Sequence, residues 1–214
     1  SVLTSTQVVA IETADIVALV TSQIVSLTTY QISSVLSTAQ IVAIETVDID
    51  VLTTAQIISL ITYQVSVLSN AQVVAISTQN ISKLETSQVA VFTTLQLSSV
   101  ILSGQISALN TTSVVILSSA QIISLSTYQI SSVLITSQVV AIETADISVL
   151  STAQIVALTT TQISSVITSA QVIAISTLDV VALMTRQIAS LSTYQVSSVL
   201  TSTQVVAIET ADIV

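Results

Sequence analysis

The sequence predicts an all-α solenoid of very short helices, with about four octads, 33 residues, to each superhelical turn. Three observations carry that expectation. A Thr-x-Gln-Ile/Val motif recurs every eight or nine residues, and its Gln-type position can be followed through 26 consecutive units. Two apolar columns accompany it, since the residue four before is always Leu, Ile or Phe and the residue one after is always Ile, Val or Leu. Two before the Gln-type position stands Thr or Ser in 25 units and Asn70 in the other, which is nearly the set that starts helices.

Each part of the octad follows from these columns. Thr, Ser or Asn reads as the N-cap, and Thr13, Thr46, Thr144 and Thr210 are its representatives where an acid follows. The Gln-type residue then falls in the first turn, where an Asp favours the helix dipole. Ile and Leu lie three and then five residues apart, so neither a continuous helix nor a continuous strand keeps both on one face, and the chain bends once per octad. Helices of about six residues are too short to stand alone and survive by packing their Ile and Leu against neighbours. Where Ser or Thr also sits three before Gln, as in "LSTAQ" at 150–154, a capping box can form. A β-solenoid with 33-residue coils is the alternative. It suits Thr, Val and Ile, yet it wants corner residues that a chain with one Gly and no Pro lacks.

A longer period overlies the octad. The Gln-type position is occupied instead by Asp15, Asp48, Asn80, Ser113, Asp146, Asp179 and Asp212, spaced by 33 residues with one spacing of 32. One extra residue per four octads makes the difference, at Val35, Val100, Val133, Val166 and Val199, and "QVSVL" at 64–68 lacks it. The segment "SVLTSTQVVAIETADIV" stands at 1–17 and again at 198–214, which implies a 197-residue super-repeat of a longer protein. One tandem-repeat solenoid over 1–214 is expected, with no linker.

Composition excludes much chemistry. With no Cys and no His there is no thiolate, no disulfide and no usual zinc ligand or general base. Eleven acids against Lys83 and Arg186 give a net charge of −9, the wrong sign for nucleic acid. Mean hydropathy is +0.97, but Ser, Thr and Gln interrupt every apolar stretch well short of the roughly 20 residues of a membrane span. Gly104 marks an irregular unit, read as a local bend, and no enzyme activity or cofactor is expected.

The motifs "LTTAQI" (52–57), "LSTAQI" (36–41 and 150–155) and "AIETAD" (10–15, 141–146 and 207–212) resemble the LTTAQ-type tandem repeats of very large bacterial surface proteins, labelled adhesin-like or haem-utilisation proteins. The resemblance implies surface display and repetition. Haem is set aside, because no His, Cys or Met-rich ligand set is present.

Four pairs of acids three apart are weak calcium candidates: Glu12 with Asp15, Glu45 with Asp48, Glu143 with Asp146, and Glu209 with Asp212. Their plainer reading is helix-start charge and a solvated acidic stripe. The Gln column, for example Gln40, Gln56 and Gln154, either caps local backbone donors, the favoured role, or forms a ladder between turns. Tyr30, Tyr63, Tyr128 and Tyr194 read as a contact ridge between chains or as groove filling. The expected function is a self-associating extracellular filament or surface fibre. The alternative is the stalk or spacer of a giant adhesin whose ligand-binding domain lies outside this segment.

Overall fold

A computed structural model of the chain describes residues 3–211 and divides it into two compact units, Ser1–Ser113 and Val114–Val214. Among the described residues there is no strand, and helices of four to six residues follow one another at the octad spacing, the last of them, Ser202–Ala211, being longer. The all-α reading holds and the β-solenoid does not.

The local grammar is visible in one octad. Ser37 is extended (φ −68°, ψ 160°) and caps the helix Thr38–Ala43; Ile44 leaves it, extended again (φ −65°, ψ 128°), and Glu45 caps the next. Two successive extended residues therefore make each such corner, in a backbone region open to every L-residue. No described residue has a positive φ, so the corner needs neither Gly nor Pro. Gly104 is no bend: it lies inside the helix Ser103–Ala108, and a Cβ there would meet only Thr78 Cγ2 at 3.5 Å, an ordinary contact.

One sequence expectation is corrected by a single residue. The N-cap stands three before the Gln-type position, not two, because the capping box needs the N3 side chain to reach back to the N-cap N–H. Thr13, Thr46 and Thr144 are consequently the first helical residues of their octads, and Glu12, Glu45 and Glu143 are the N-caps.

The turn length is corrected as well. In the first unit, Ser5–Val9, Gln31–Val35, Thr54–Ser59, Thr78–Ile81 and Ser103–Ala108 pack in succession as one stack. Thr13–Ala18, Thr38–Ala43, Thr62–Ser66 and Thr86–Val89 form a second. Thr21–Val25, Thr46–Val51, Asn70–Ala75 and Gln96–Val100 form the third. Each of these helices thus rests on the helix three octads away, and one turn within the unit takes three octads instead of four. The second unit repeats this, with Gln129–Val133, Thr152–Ala157, Thr177–Ala182 and Ser202–Ala211 as one of its stacks.

The core is the pair of columns the sequence marks. Ile24, Ile41, Ile57, Ile81, Ile122 and Ile155 are fully buried, and Leu36, Leu52, Phe92, Leu125 and Leu158 nearly so. The extra residue of the longer period has a definite form. Gln31–Val35, Gln96–Val100, Gln129–Val133, Gln162–Val166 and Gln195–Val199 are π-turns, closed by i+5 bonds such as Leu36 N to Gln31 O at 2.8 Å. Where the residue is missing, Thr62–Ser66 is an ordinary α-helix. A π-turn accommodates one additional residue in a helix without moving its ends out of the packing.

Candidate functional site

The strongest polar feature is inside the protein. Gln is the N3 residue of its helix, and its Oε1 accepts from the N-cap N–H, as from Ser37 to Gln40 at 2.8 Å and from Thr53 to Gln56 at 2.9 Å. Its Nε2 reaches across to the C-terminal carbonyls of the helix four octads earlier. Gln40 donates to Val8 O (3.0 Å) and Ile11 O (2.8 Å), and Gln56 to Val25 O (2.9 Å) and Leu27 O (2.8 Å). In the second unit Gln154 donates to Ile123 O and Leu125 O, and Gln171 to Val139 O and Ile142 O.

A helix start leaves N–H groups without partners and a helix end leaves carbonyls. One amide serves both, because it carries an acceptor and two donors. The local capping role and the bond between turns are therefore one device, and the interturn bonds of Gln40, Gln56, Gln154 and Gln171 run to backbone carbonyls and not to another Gln.

At one octad in four a shorter residue takes this place. Asn80 still donates, from Nδ2 to Leu52 O at 3.1 Å, and its Oδ1 accepts from the Thr54 hydroxyl of the helix beneath at 2.7 Å. Asp146 and Asp179 keep only the accepting half, from Ser119 and Thr152 hydroxyls at 2.6 Å each. Asp48 is 3% exposed and its Oδ1 has no partner, as is true of the Ser113 hydroxyl.

The acid pairs are consequently split by burial. Glu45 and Glu143 are exposed and make no side-chain cap bond, whereas Asp48 and Asp146 are buried; Glu12 and Asp15, in the first described coil, are both exposed. Among the described residues no three acids converge as a metal site would require. Glu209, Thr210 and Asp212 lie outside the residues whose side chains are described.

The tyrosines are the most prominent exposed aromatics, at 61–65% exposure. They do not form one ridge. Tyr30 precedes a π-turn in the stack that starts at Ser5–Val9, while Tyr63 belongs to the stack that starts at Thr13–Ala18. A pattern of four octads on a turn of three advances one side per repeat, so tyrosines and acids wind around each unit. The expected acidic stripe is dispersed for the same reason.

Open grooves lie at the helix corners. One, of about 450 Å³, is bounded by Val17, Val42, Ile44 and Val47, with Glu45 and Thr46 beside them. Its counterpart in the second unit, of about 490 Å³, is bounded by Val115, Val140 and Ile142, with Glu143 and Thr144. Sequence reasoning missed these grooves, and it weighed the cap and the interturn bond of Gln as alternatives, with Gln as the interturn partner, where the structure has both and the partners are backbone carbonyls. The interturn bond had a signal, since a merely local cap would tolerate Glu in that column and none occurs there.

Among families of known proteins, the model described as the ALTTAQ repeat matches residues 8–43, 41–78, 139–177 and 172–210, about two thirds of the chain. No curated protein and no solved structure shows significant similarity to it.

Proposed function

We infer the function from two facts: the chain belongs to the ALTTAQ repeat family, and its surface combines few charges with many exposed apolar side chains on every side. We propose a structural role, as a self-associating filament or surface fibre displayed outside the cell. The observation that carries this reading is the distribution of exposed hydrophobics. In the first unit Val9, Tyr30 and Ile58 belong to one stack, Val17, Val42 and Tyr63 to the second, and Val47, Val74 and Leu95 to the third, each 36–65% exposed. Exposed apolar side chains in such number favour association, and their presence on three sides favours lateral growth into bundles over a closed dimer.

The backbone of such a fibre would be the repeated coil, whose stability is a sum of nearest-neighbour interfaces. No catalytic role is assigned, since the sequence offers no His or Cys and the buried acids serve helix stacking. No helix among the described residues is long and apolar enough to cross a membrane, and net charge −9 argues against a nucleic-acid partner. Sedimentation and electron imaging of the chain across a concentration series test the proposal. Lateral assemblies that grow with concentration are expected; isolated rods at every concentration would overturn it in favour of the spacer role.

A further inference from the structure

We propose that the corner grooves receive the tyrosines of a second copy of the chain, with Tyr30 and Tyr128 entering the grooves beside Glu45 and Glu143. The inference rests on the self-association reading and specifies its contact.

Three observations carry it. First, the chemistry is complementary. Each groove has valine walls, Val17, Val42 and Val47 in one and Val115 and Val140 in the other, with a single exposed carboxylate. A tyrosine brings an apolar ring with a hydroxyl donor at its tip, and a phenol O–H to a carboxylate is a charge-assisted bond. Second, the tyrosines stand free to serve, since Tyr30 and Tyr128 are 64% and 61% exposed.

Third, the spacing along the chain agrees. Tyr30 and Tyr128 are 98 residues apart, and so are Val42 and Val140, and Glu45 and Glu143. Twelve octads, three periods of the four-octad pattern, separate each pair. Within each unit these knobs and holes lie on different helices, so the contact is heterologous. It leaves an unused tyrosine on one chain and an unused groove on the other, and such an interface extends without closing.

The test uses the full chain with two double variants, Tyr30→Ser with Tyr128→Ser, and Val42→Glu with Val140→Glu. All four positions are exposed, and circular dichroism confirms that each variant is folded. Each alone is expected to raise the concentration for half-assembly at least about tenfold, the loss of a central aromatic anchor. Mixed together they should associate again, because one retains the groove and the other the tyrosine, but only into complexes of limited size. Assembly of the tyrosine variant like the wild type would overturn this contact while leaving self-association standing. Assembly of the groove variant like the wild type would overturn it in favour of a tyrosine-to-tyrosine contact. Failure of the mixture to associate would overturn the heterologous pairing, and a wild-type chain that never assembles would remove both proposals.

Discussion

Gln72 lends itself to a decisive test of the interturn clamp. It is 2% exposed; its Oε1 accepts from Ser69 N at 3.0 Å, and its Nε2 donates to Ile41 O and Ile44 O at 2.9 Å each and to Val42 O at 3.2 Å. Replacement by Leu fills the space but removes every bond. Ile41 O keeps the Ile44 N–H at 3.2 Å, so the groups that lose their partner are chiefly Ser69 N–H and Ile44 C=O. The buried Ile44 carbonyl left unsatisfied costs about 1–3 kcal/mol, water can take the N–H of exposed Ser69, and the added apolar burial returns about 1 kcal/mol, so Gln72→Leu should cost about 1 kcal/mol. Urea unfolding followed by circular dichroism measures it. Gln23→Leu is the control, since Gln23 is exposed, accepts only from Val20 N and bonds to no carbonyl; it should cost below about 0.5 kcal/mol. Gln72→Glu adds a sign. The introduced carboxyl keeps the accepting half but sets its second oxygen against carbonyls, which raises its folded-state pKa above the unfolded value of about 4.3. Its penalty should be smallest below that pH and grow as pH rises through the folded-state pKa. Equal stability of Gln72→Leu and Gln23→Leu would refute the clamp as a determinant of the fold.

Three other outcomes follow from the packing. Asp48→Asn should stabilise by about 1 kcal/mol in urea unfolding, because an amide there can donate to Leu19 O as Asn80 does to Leu52 O; a loss of stability would contradict the shared geometry. Inserting Ser between Ser66 and Val67, which recreates the Gln195–Val199 sequence, should form a π-turn and change stability by less than about 1 kcal/mol. A loss above about 2 kcal/mol would show that the helix Thr62–Ser66 cannot take the extra residue. Ile57→Ala at a fully buried site should cost about 3–4 kcal/mol, against less than about 1 kcal/mol for its neighbour Ile58→Ala at 36% exposure. Thermal unfolding separates the two, and similar costs would contradict the assignment of the inward face.

The octad, the two core columns and the short helix were legible because each imposes its own residue type. Val8, Ile16 and Ile24 must all be apolar to lie in the interior, and a column so restricted is visible without coordinates. The N-cap was misplaced by one residue because Thr and Ser occupy both candidate positions, as Ser37 and Thr38 do; the reach of the Gln40 side chain decides between them. The number of octads per turn was not legible at all. It depends on the angle at corners such as Ile44–Glu45, where both residues adopt φ and ψ values common to most amino acids. The extra Val35 announced an insertion without announcing a π-turn, since an added loop residue would have left the same trace.

The mismatch between a turn of three octads and a pattern of four has an energetic consequence. Had the turn matched the pattern, Glu12 and Glu45 would lie one coil apart on the same side, and every further coil would add another carboxylate above them. Like charges about 10 Å apart in water repel by about 0.4 kcal/mol, a cost repeated at each turn of a solenoid whose interfaces add. With the mismatch, Glu12 stands on the stack of Thr13–Ala18 and Glu45 on that of Thr46–Val51, which are different sides of the first unit. One side then carries a long interval without carboxylates, since the helices of the stack from Ser5–Val9 to Ser103–Ala108 contain no acid. The same winding that separates the carboxylates thus leaves apolar surface between them on each side of the first unit, so a chain with net charge −9 can meet its own copies without aligning like charges.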